Sequence, residues 1–248
     1  MPENGLCPIH DTAPSDIFVC AYPRSGNTWF QNLVAGVVHG VDPEFAHDSL
    51  IQDLVPGVDY KRFYKRYGPT AYFKSHELPQ KTYRRVVYLL RDGRDAMVSY
   101  YHYLTVLNGR IDFLRLVKGD GLTPCFWHEH VQQWAANQFA AEMMVIKYED
   151  LQSSLVRELR RFCDFAGLSR SDAHLEYIAA KASFSKARAK ELQMGWDNKS
   201  WPRDKAFIRR GIVGSFRDEM PPQVLAAFVE KAGPTLARFG YQKCLEKK

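Results

Sequence analysis

The sequence predicts an α/β fold: a single domain over residues 1–248, with a central, mainly parallel β-sheet flanked by helices. Three observations carry this. Four short apolar runs, IFVCAY (17–22), AYFKSH (71–76), RRVVYLL (84–90) and MMVIKYED (143–150), are interspersed with stretches of helical period, as parallel strands joined by crossovers require. Each run is followed at once by a polar cluster, and parallel sheets place their ligand sites beyond the carboxyl ends of the strands. With 248 residues, 46% apolar and 25% charged, the chain is long enough for one sizeable core and has the composition of a globular protein.

Taken in order, residues 1–15 (MPENGLCPIHDTAPS) lack any sustained period and are expected to form a flexible arm. IFVCAY then reads as a strand, YPRSGNTW (22–29) as a tight loop, and WFQNLVAGVVHG as a helix whose Phe30, Leu33, Val34, Val37 and Val38 recur at helical spacing. Residues 40–70 are rich in turn formers and aromatics and read as an excursion from the core. The second and third strands follow, the third leading through DGRD into the helical AMVSYYHYL. After the fourth, SSLVRELRRFCDFAGL (153–168) shows an apolar face of Leu155, Leu159, Phe162 and Cys163, with Gly167 where a C-cap belongs. In residues 185–210, Lys and Arg outnumber Asp and Glu and tryptophans are interleaved, which suits a mobile flap over a polyanion or a single-stranded nucleic-acid surface. The closing helix, 222–239, carries Val224, Leu225, Phe228, Val229, Leu236 and Phe239 and is expected to break near Gly233-Pro234.

The net charge of +6 suits anionic ligands. Cys7, Cys20, Cys125, Cys163 and Cys244 are scattered without a C-x-x-C, so neither a disulfide framework nor a zinc site is indicated, and a reducing, cytoplasmic setting fits. No secretory leader or membrane-spanning run is evident, and the sequon Asn198-Lys199-Ser200 is expected to be silent.

The chemistry concentrates after the strands. A strand-loop-helix junction offers unpaired backbone N–H groups and a positive dipole end to an anion. Here Arg24 adds a full charge and Ser25 and Thr28 add hydroxyl donors. The loop lacks the G-x-x-x-x-G-K-[ST] pattern, so a triphosphate grip of the kinase type is unsupported. Arg91, with Ser99 about two turns along the next helix, forms a phosphate clamp unless Arg91 pairs with Asp92 or Asp95. Lys74 and His76 share a side of an extended segment, and a histidine at a strand end can take a proton near neutral pH; Glu77 is a rival base. His128-Glu129-His130 does not read as a metal site, since positions i and i+2 diverge on a helix. Phe45, Tyr60, Phe63, Tyr64, Tyr67, Tyr103, Phe126 and Trp127 are candidates for an apolar pocket, or for core.

Together these motifs resemble the sulfotransferase family that uses 3′-phosphoadenosine 5′-phosphosulfate (PAPS). YPRSGNTW is similar to its YPKSGTTW loop, KSHELP to its KTHLP segment, RDGRDAMVSYYHY to its 3′-phosphate motif and RRGIVGSF to its late RKGxxGDW motif, in the family's order. The resemblance implies a P-loop-NTPase-like sulfotransferase fold and transfer of a sulfonate to a hydroxyl or amine of a small-molecule acceptor. It further implies 3′,5′-adenosine bisphosphate (PAP) as product and no role for a metal, a nucleic acid or a membrane. Position by position it implies His76 as general base and Arg24 and Lys74 beside the sulfonate. Ser25, Gly26, Asn27 and Thr28 would cradle the 5′-phosphate, and Trp29, Tyr148 and Ser183 would lie near the nucleotide. Arg91, Ser99, Arg209, Arg210 and Gly211 would hold the 3′-phosphate. The sequence departs from the pattern at Arg24, where the family has a lysine, at Asn27 and Ala182, and at SFRD; the animal dimer signature is missing, so no oligomeric state is predicted. A nucleotide-binding module without turnover and a nucleic-acid binder using 185–210 are the rival readings.

Overall fold

The computed structural model describes residues 5–196 and 201–242. Along the chain lie β1 (Leu6–Pro8), β2 (Ile17–Ala21), α1 (Asn27–His39), α2 (Asp48–Leu54), β3 (Phe63–Lys65), β4 (Tyr72–Ser75), β5 (Arg85–Leu90), α3 (Gly93–Asn108), α4 (Phe113–Lys118) and α5 (Trp127–Ala136). They are followed by β6 (Glu142–Lys147), α6 (Tyr148–Ser153), α7 (Leu155–Ala166), α8 (Asp172–Lys181), α9 (Phe184–Met194), α10 (Phe216–Glu219) and α11 (Pro222–Arg238).

The four apolar runs form one parallel sheet in the order β4-β2-β5-β6. Every residue of β2 is buried, because helices cover both faces of the sheet. Side chains alternate between those faces. Phe18, Cys20, Val86, Tyr88 and Leu90 pack with Met97, Trp127, Trp134 and Phe228 on one side. Ile17, Val19, Ala21, Val87, Leu89 and Ile146 pack with Phe30, Leu33, Leu159, Phe162 and Leu175 on the other. The strand order reverses between β2 and β5, so the crevice beyond their carboxyl ends is where this topology places a ligand.

The structure corrects the sequence reading in several places. From Gly5 onward, the expected N-terminal arm is tied down: β1 pairs antiparallel with β3, and Ile9 is buried in the core. Residues 40–70 accordingly hold α2 and β3 as well as turns. The 153–168 stretch is interrupted at Ser154, which separates α6 from α7, and Gly167 caps α7 with a left-handed φ of 69° as expected. α11 continues through Pro234. The proline forfeits a helical hydrogen bond, but Val224, Phe228, Ala232, Thr235 and Leu236 are buried along one face, and that packing keeps the helix intact. Cys7, Cys20, Cys125 and Cys163 are free thiols; Cys244 and the sequon at Asn198 lie outside the described residues. Among the described residues no helix is long and apolar enough to cross a membrane.

Candidate active site

At the end of β2 the chain must turn sharply into α1, and it does so through left-handed residues, Arg24 at φ 68° and Gly26 at φ 98°. Gly26 is required twice over: its φ disfavours a side chain, and a Cβ there would lie 2.7 Å from the Tyr148 ring. Gly26 offers α1 no side-chain cap and the first turn has no acid, so its N–H groups and dipole are left to an anion. Beneath the loop, Ser25 Oγ and Arg91 Nε are buried with no hydrogen-bond partner among the described residues. Unsatisfied buried donors are costly; Arg91 lines the cavity, where an anion could complete it, while Ser25 is buried under the loop.

Strand β4 delivers Lys74 and His76 beside this loop. Asn27 Nδ2 donates to the Ser75 carbonyl at 2.9 Å and Lys74 Nζ donates to Thr28 Oγ1 at 3.0 Å, which fastens the loop to the strand. Burial lowers the Lys74 pKa to about 8, against the pull of Asp48, so the amine is charged at neutral pH. His76 Nδ1 lies 2.8 Å from the Ala21 carbonyl, which can only accept, so Nδ1 carries the proton and Nε2 keeps its lone pair. Burial, with the Lys74 charge, pushes the His76 pKa down to about 3, so the imidazole is neutral. Glu77, the rival base, accepts hydrogen bonds from Tyr83 Oη and Gln80 Nε2.

α5 supports this segment. His130 Nε2 donates to the His76 carbonyl at 3.2 Å while its Nδ1 accepts from Tyr88 Oη at 2.9 Å, and Trp134 Nε1 donates to the Glu77 carbonyl. Glu129 instead accepts from the Phe126 N–H, so the His-Glu-His triplet serves separate purposes. No cluster of three metal-binding side chains occurs among the described residues.

β5 ends in Arg91, whose Nη1 donates to the Arg24 carbonyl at 2.9 Å and whose guanidinium lies 4.3 Å from the Tyr148 ring centroid. Neither neighbouring acid takes it. Asp92 is paired with the fully buried Arg94 at 2.6 Å, and Asp95 accepts from Gly214 N, Ser215 Oγ and Phe216 N. Asp95 therefore ties the start of α3 to the late RRGIVGSF segment. Ser99 Oγ, further along α3, accepts from Arg24 Nε at 3.2 Å.

The Arg24 guanidinium also donates to the Phe207 carbonyl and lies over the Phe207 and Tyr103 rings at 4.5 and 5.0 Å. Burial lowers its pKa to about 10, leaving it charged at neutral pH. Trp196 stacks on Phe207 at 4.1 Å and Trp201 on Tyr103 at 5.4 Å. Glu191 accepts from the N–H groups of Phe207 and Ile208, so α9 carries this aromatic cover across the loop. Arg209 and Arg210 both donate to Glu219. Gly211 adopts φ 63°, and a Cβ there would meet the Phe184 ring at 2.4 Å. Trp29 Nε1 donates to the Ala182 carbonyl, and its ring meets Tyr148 edge to face.

These groups surround one cavity of about 1280 Å³, lined by every predicted site residue except Ser25 and Ser183. Ser25 is buried under the loop, and Ser183 caps the start of α9, its hydroxyl 3.3 Å from that of Ser185. The volume exceeds that of a typical pocket for one drug-sized ligand, about 300–1,000 Å³, and suits two ligands side by side. Of the eight aromatic candidates, only Tyr60 and Tyr103 line it. Tyr64 and Trp127 are core, Phe45, Phe63 and Tyr67 are exposed elsewhere, and Phe126 packs near Lys231 and Gly119. The sequence reading missed Tyr100, Phe184, Trp196, Phe207 and Asp59 on the wall; the one local cue for Phe207 was its place two residues before RRG, which says nothing of what its ring meets.

The family model described as "Sulfotransferase domain" matches residues 14–240. The chain is 24% identical over 230 residues to Sulfotransferase 1A1 of Bos taurus, covering 82% of this chain and 77% of that protein. It is 30% identical over 182 residues to Sulfotransferase 4A1 of Mus musculus, covering 66% and 64% respectively. A crystal structure of retinol dehydratase in complex with androsterone and the inactive cofactor PAP superposes with a TM-score of 0.71 at 21% identity, covering 92% of this chain and 83% of that one. Mouse sulfotransferase SULT7A1, complexed with PAP, superposes with a TM-score of 0.66 at 20% identity, covering 93% and 90%.

Proposed function

This chain belongs to the sulfotransferase family, and on that premise we propose that it moves the sulfonate of PAPS to a hydroxyl or amine of a small-molecule acceptor and releases PAP. The observation that carries the reading is Arg91, whose Nε is buried without a partner among the described residues on the wall of the same cavity as His76, whose Nε2 keeps its lone pair, with the equally unpartnered Ser25 Oγ buried under the adjoining loop. A nucleotide with phosphate groups at two positions satisfies such donors, and a base beside them has something to deprotonate. The solved relatives that contain PAP support it.

On this reading the α1 N-terminus, Ser25, Gly26, Asn27 and Thr28 take the 5′-phosphate. Arg91 and Ser99, with Arg209, Arg210 and Gly211, take the 3′-phosphate, and Trp29 and Tyr148 flank the base. Ser183 contributes through the α9 turn rather than from the wall. The acceptor oxygen or nitrogen attacks sulfur while its proton passes to His76 Nε2, whose low pKa in the free protein rises when the donor's phosphates offset the Lys74 and Arg24 charges, and the S–O bond to the 5′-phosphate breaks. Arg24 and Lys74, both charged, stabilise the oxygen that leaves. Arg24 is not a proton donor at neutral pH, so the departing phosphate leaves as the anion. Within the expected flap of 185–210, of which 197–200 lie outside the described residues, 185–196 and 201–210 act as the cover; the acceptor occupies the Tyr60, Tyr100 and Pro124 side of the cavity, and the free thiols fit a cytoplasmic setting.

Calorimetric titration with PAP, 5′-AMP and ATP, without added metal, tests this. Binding that depends on the 3′-phosphate is expected, and equal affinity for PAP and 5′-AMP would overturn the donor assignment.

A further inference from the structure

The late basic pair is not left loose. Arg209 Nη1 and Arg210 Nη1 (2.9 Å) both donate to the carboxylate of Glu219, which also accepts from His102 Nε2 at 3.0 Å. Glu219 ends α10, and the start of α10 is pinned by Asp95 through Ser215 Oγ and the Phe216 N–H. Asp95, Ser99 and His102 all lie on α3. One helix thus carries a proposed phosphate hydroxyl and two anchors for the acid that holds the arginines. Partial burial would raise the Glu219 pKa, but the hydrogen bonds from Arg209 and His102 bring its carboxyl below the ordinary range, so it is an anion at neutral pH.

We infer that Glu219 is a positioning residue for the donor: it holds Arg209 and Arg210 side by side at the 3′-phosphate seat. Two adjacent guanidinium groups on a loop without regular structure repel each other and sample many rotamers. A fixed carboxylate between them removes the repulsion and most of that freedom before the ligand arrives. Each fork spends Nη1 on Glu219, and its remaining N–H groups can turn to a phosphate. Binding then meets a preorganised pair, and less of its energy goes to ordering side chains.

The inference rests on the 3′-phosphate assignment above, and the test separates the two. PAP and 5′-AMP are titrated into the wild type and Glu219→Gln. PAP affinity is expected to fall about tenfold while 5′-AMP affinity holds, so the PAP preference shrinks. In an Arg209→Gln/Arg210→Gln background, Glu219→Gln should add nothing, because its effect passes through the arginines. A wild type without PAP preference removes the donor reading and this inference together. A wild-type preference that survives Glu219→Gln, or PAP binding that tightens because the carboxylate had been competing, overturns the inference alone. Should Glu219→Gln lower the melting temperature, His102→Ala loosens Glu219 without touching either arginine; the PAP preference must then fall too, and an unchanged preference overturns the inference.

Discussion

His76 Nδ1 donates to the carbonyl oxygen of Ala21 at 2.8 Å, and this bond fixes which nitrogen of the imidazole can act. Ala21 is the last residue of β2, the strand that leads into the Arg24–Gly26 loop, so the proposed base is oriented by the same backbone that turns into the proposed donor loop. Replacing His76 by Ala is expected to reduce sulfonate transfer by about 10²- to 10⁴-fold, with PAP affinity held near wild type. Single-turnover assay and calorimetry together check it. Full turnover in the variant would leave Glu77 or water as the base and sink the His76 role.

On the proposed function, Lys74 is expected to set an alkaline limit. Its pKa in the free protein is lowered to about 8 by burial, so its charge is present at pH 7 and is lost as pH rises through 8. The donor is a polyanion, so its affinity and the donor kcat/KM should decline above pH 8. In the bound state the neighbouring phosphates raise the pKa, so kcat itself should fall only at higher pH. Lys74→Met should weaken donor binding and flatten that limb. An identical alkaline limb in the variant assigns it to another group.

Much of this was legible in the sequence, for identifiable reasons. IFVCA reads as a strand because both faces of β2 are covered, which leaves no polar position to blur the run. YPRSGNT is local turn chemistry, and Gly26 marks the turn whatever the rest of the chain does. β3 stayed hidden because its three residues alternate exposed, buried, exposed, and its partner lies more than fifty residues away at Leu6–Pro8. The aromatic cover was hidden for a similar reason. Nothing near Phe207 in sequence says that its ring will lie between Trp196 and the Arg24 guanidinium, and nothing near Trp127 says that it will be core rather than wall. Pairings between distant segments carry no local period, so residue types alone could not sort those rings.

Arg91 should discriminate between nucleotides. Its Nε is buried without a partner among the described residues, and a hydrogen bond to a charged group contributes about 1.5–3 kcal/mol. Arg91→Ala is therefore expected to weaken PAP by about 10- to 100-fold and 5′-AMP far less. Competition of each nucleotide against PAPS reads both values. Equal losses would mean that Arg91 acts through its bonds to the Arg24 and Ile212 carbonyls rather than on the 3′-phosphate.

His130 couples the site to acid stability. It is fully buried, it donates from Nε2 to the His76 carbonyl and accepts at Nδ1 from Tyr88, and burial pushes its pKa down to about 4. The unfolded chain takes up this proton near pH 6.5, whereas the folded protein resists it until about 4. Between those values the unfolded state binds more protons, so stability is full at neutral pH and falls as pH drops through the window. For this one residue the loss amounts to about 3 kcal/mol. His130→Gln keeps a donor for the His76 carbonyl but cannot titrate. It should be less stable than wild type at pH 7, because the fit to Tyr88 is imperfect, and should lose less on going to pH 5. Urea midpoints measured from pH 7.5 to 5 decide the matter: converging curves support the assignment, and parallel ones place the acid sensitivity in other groups.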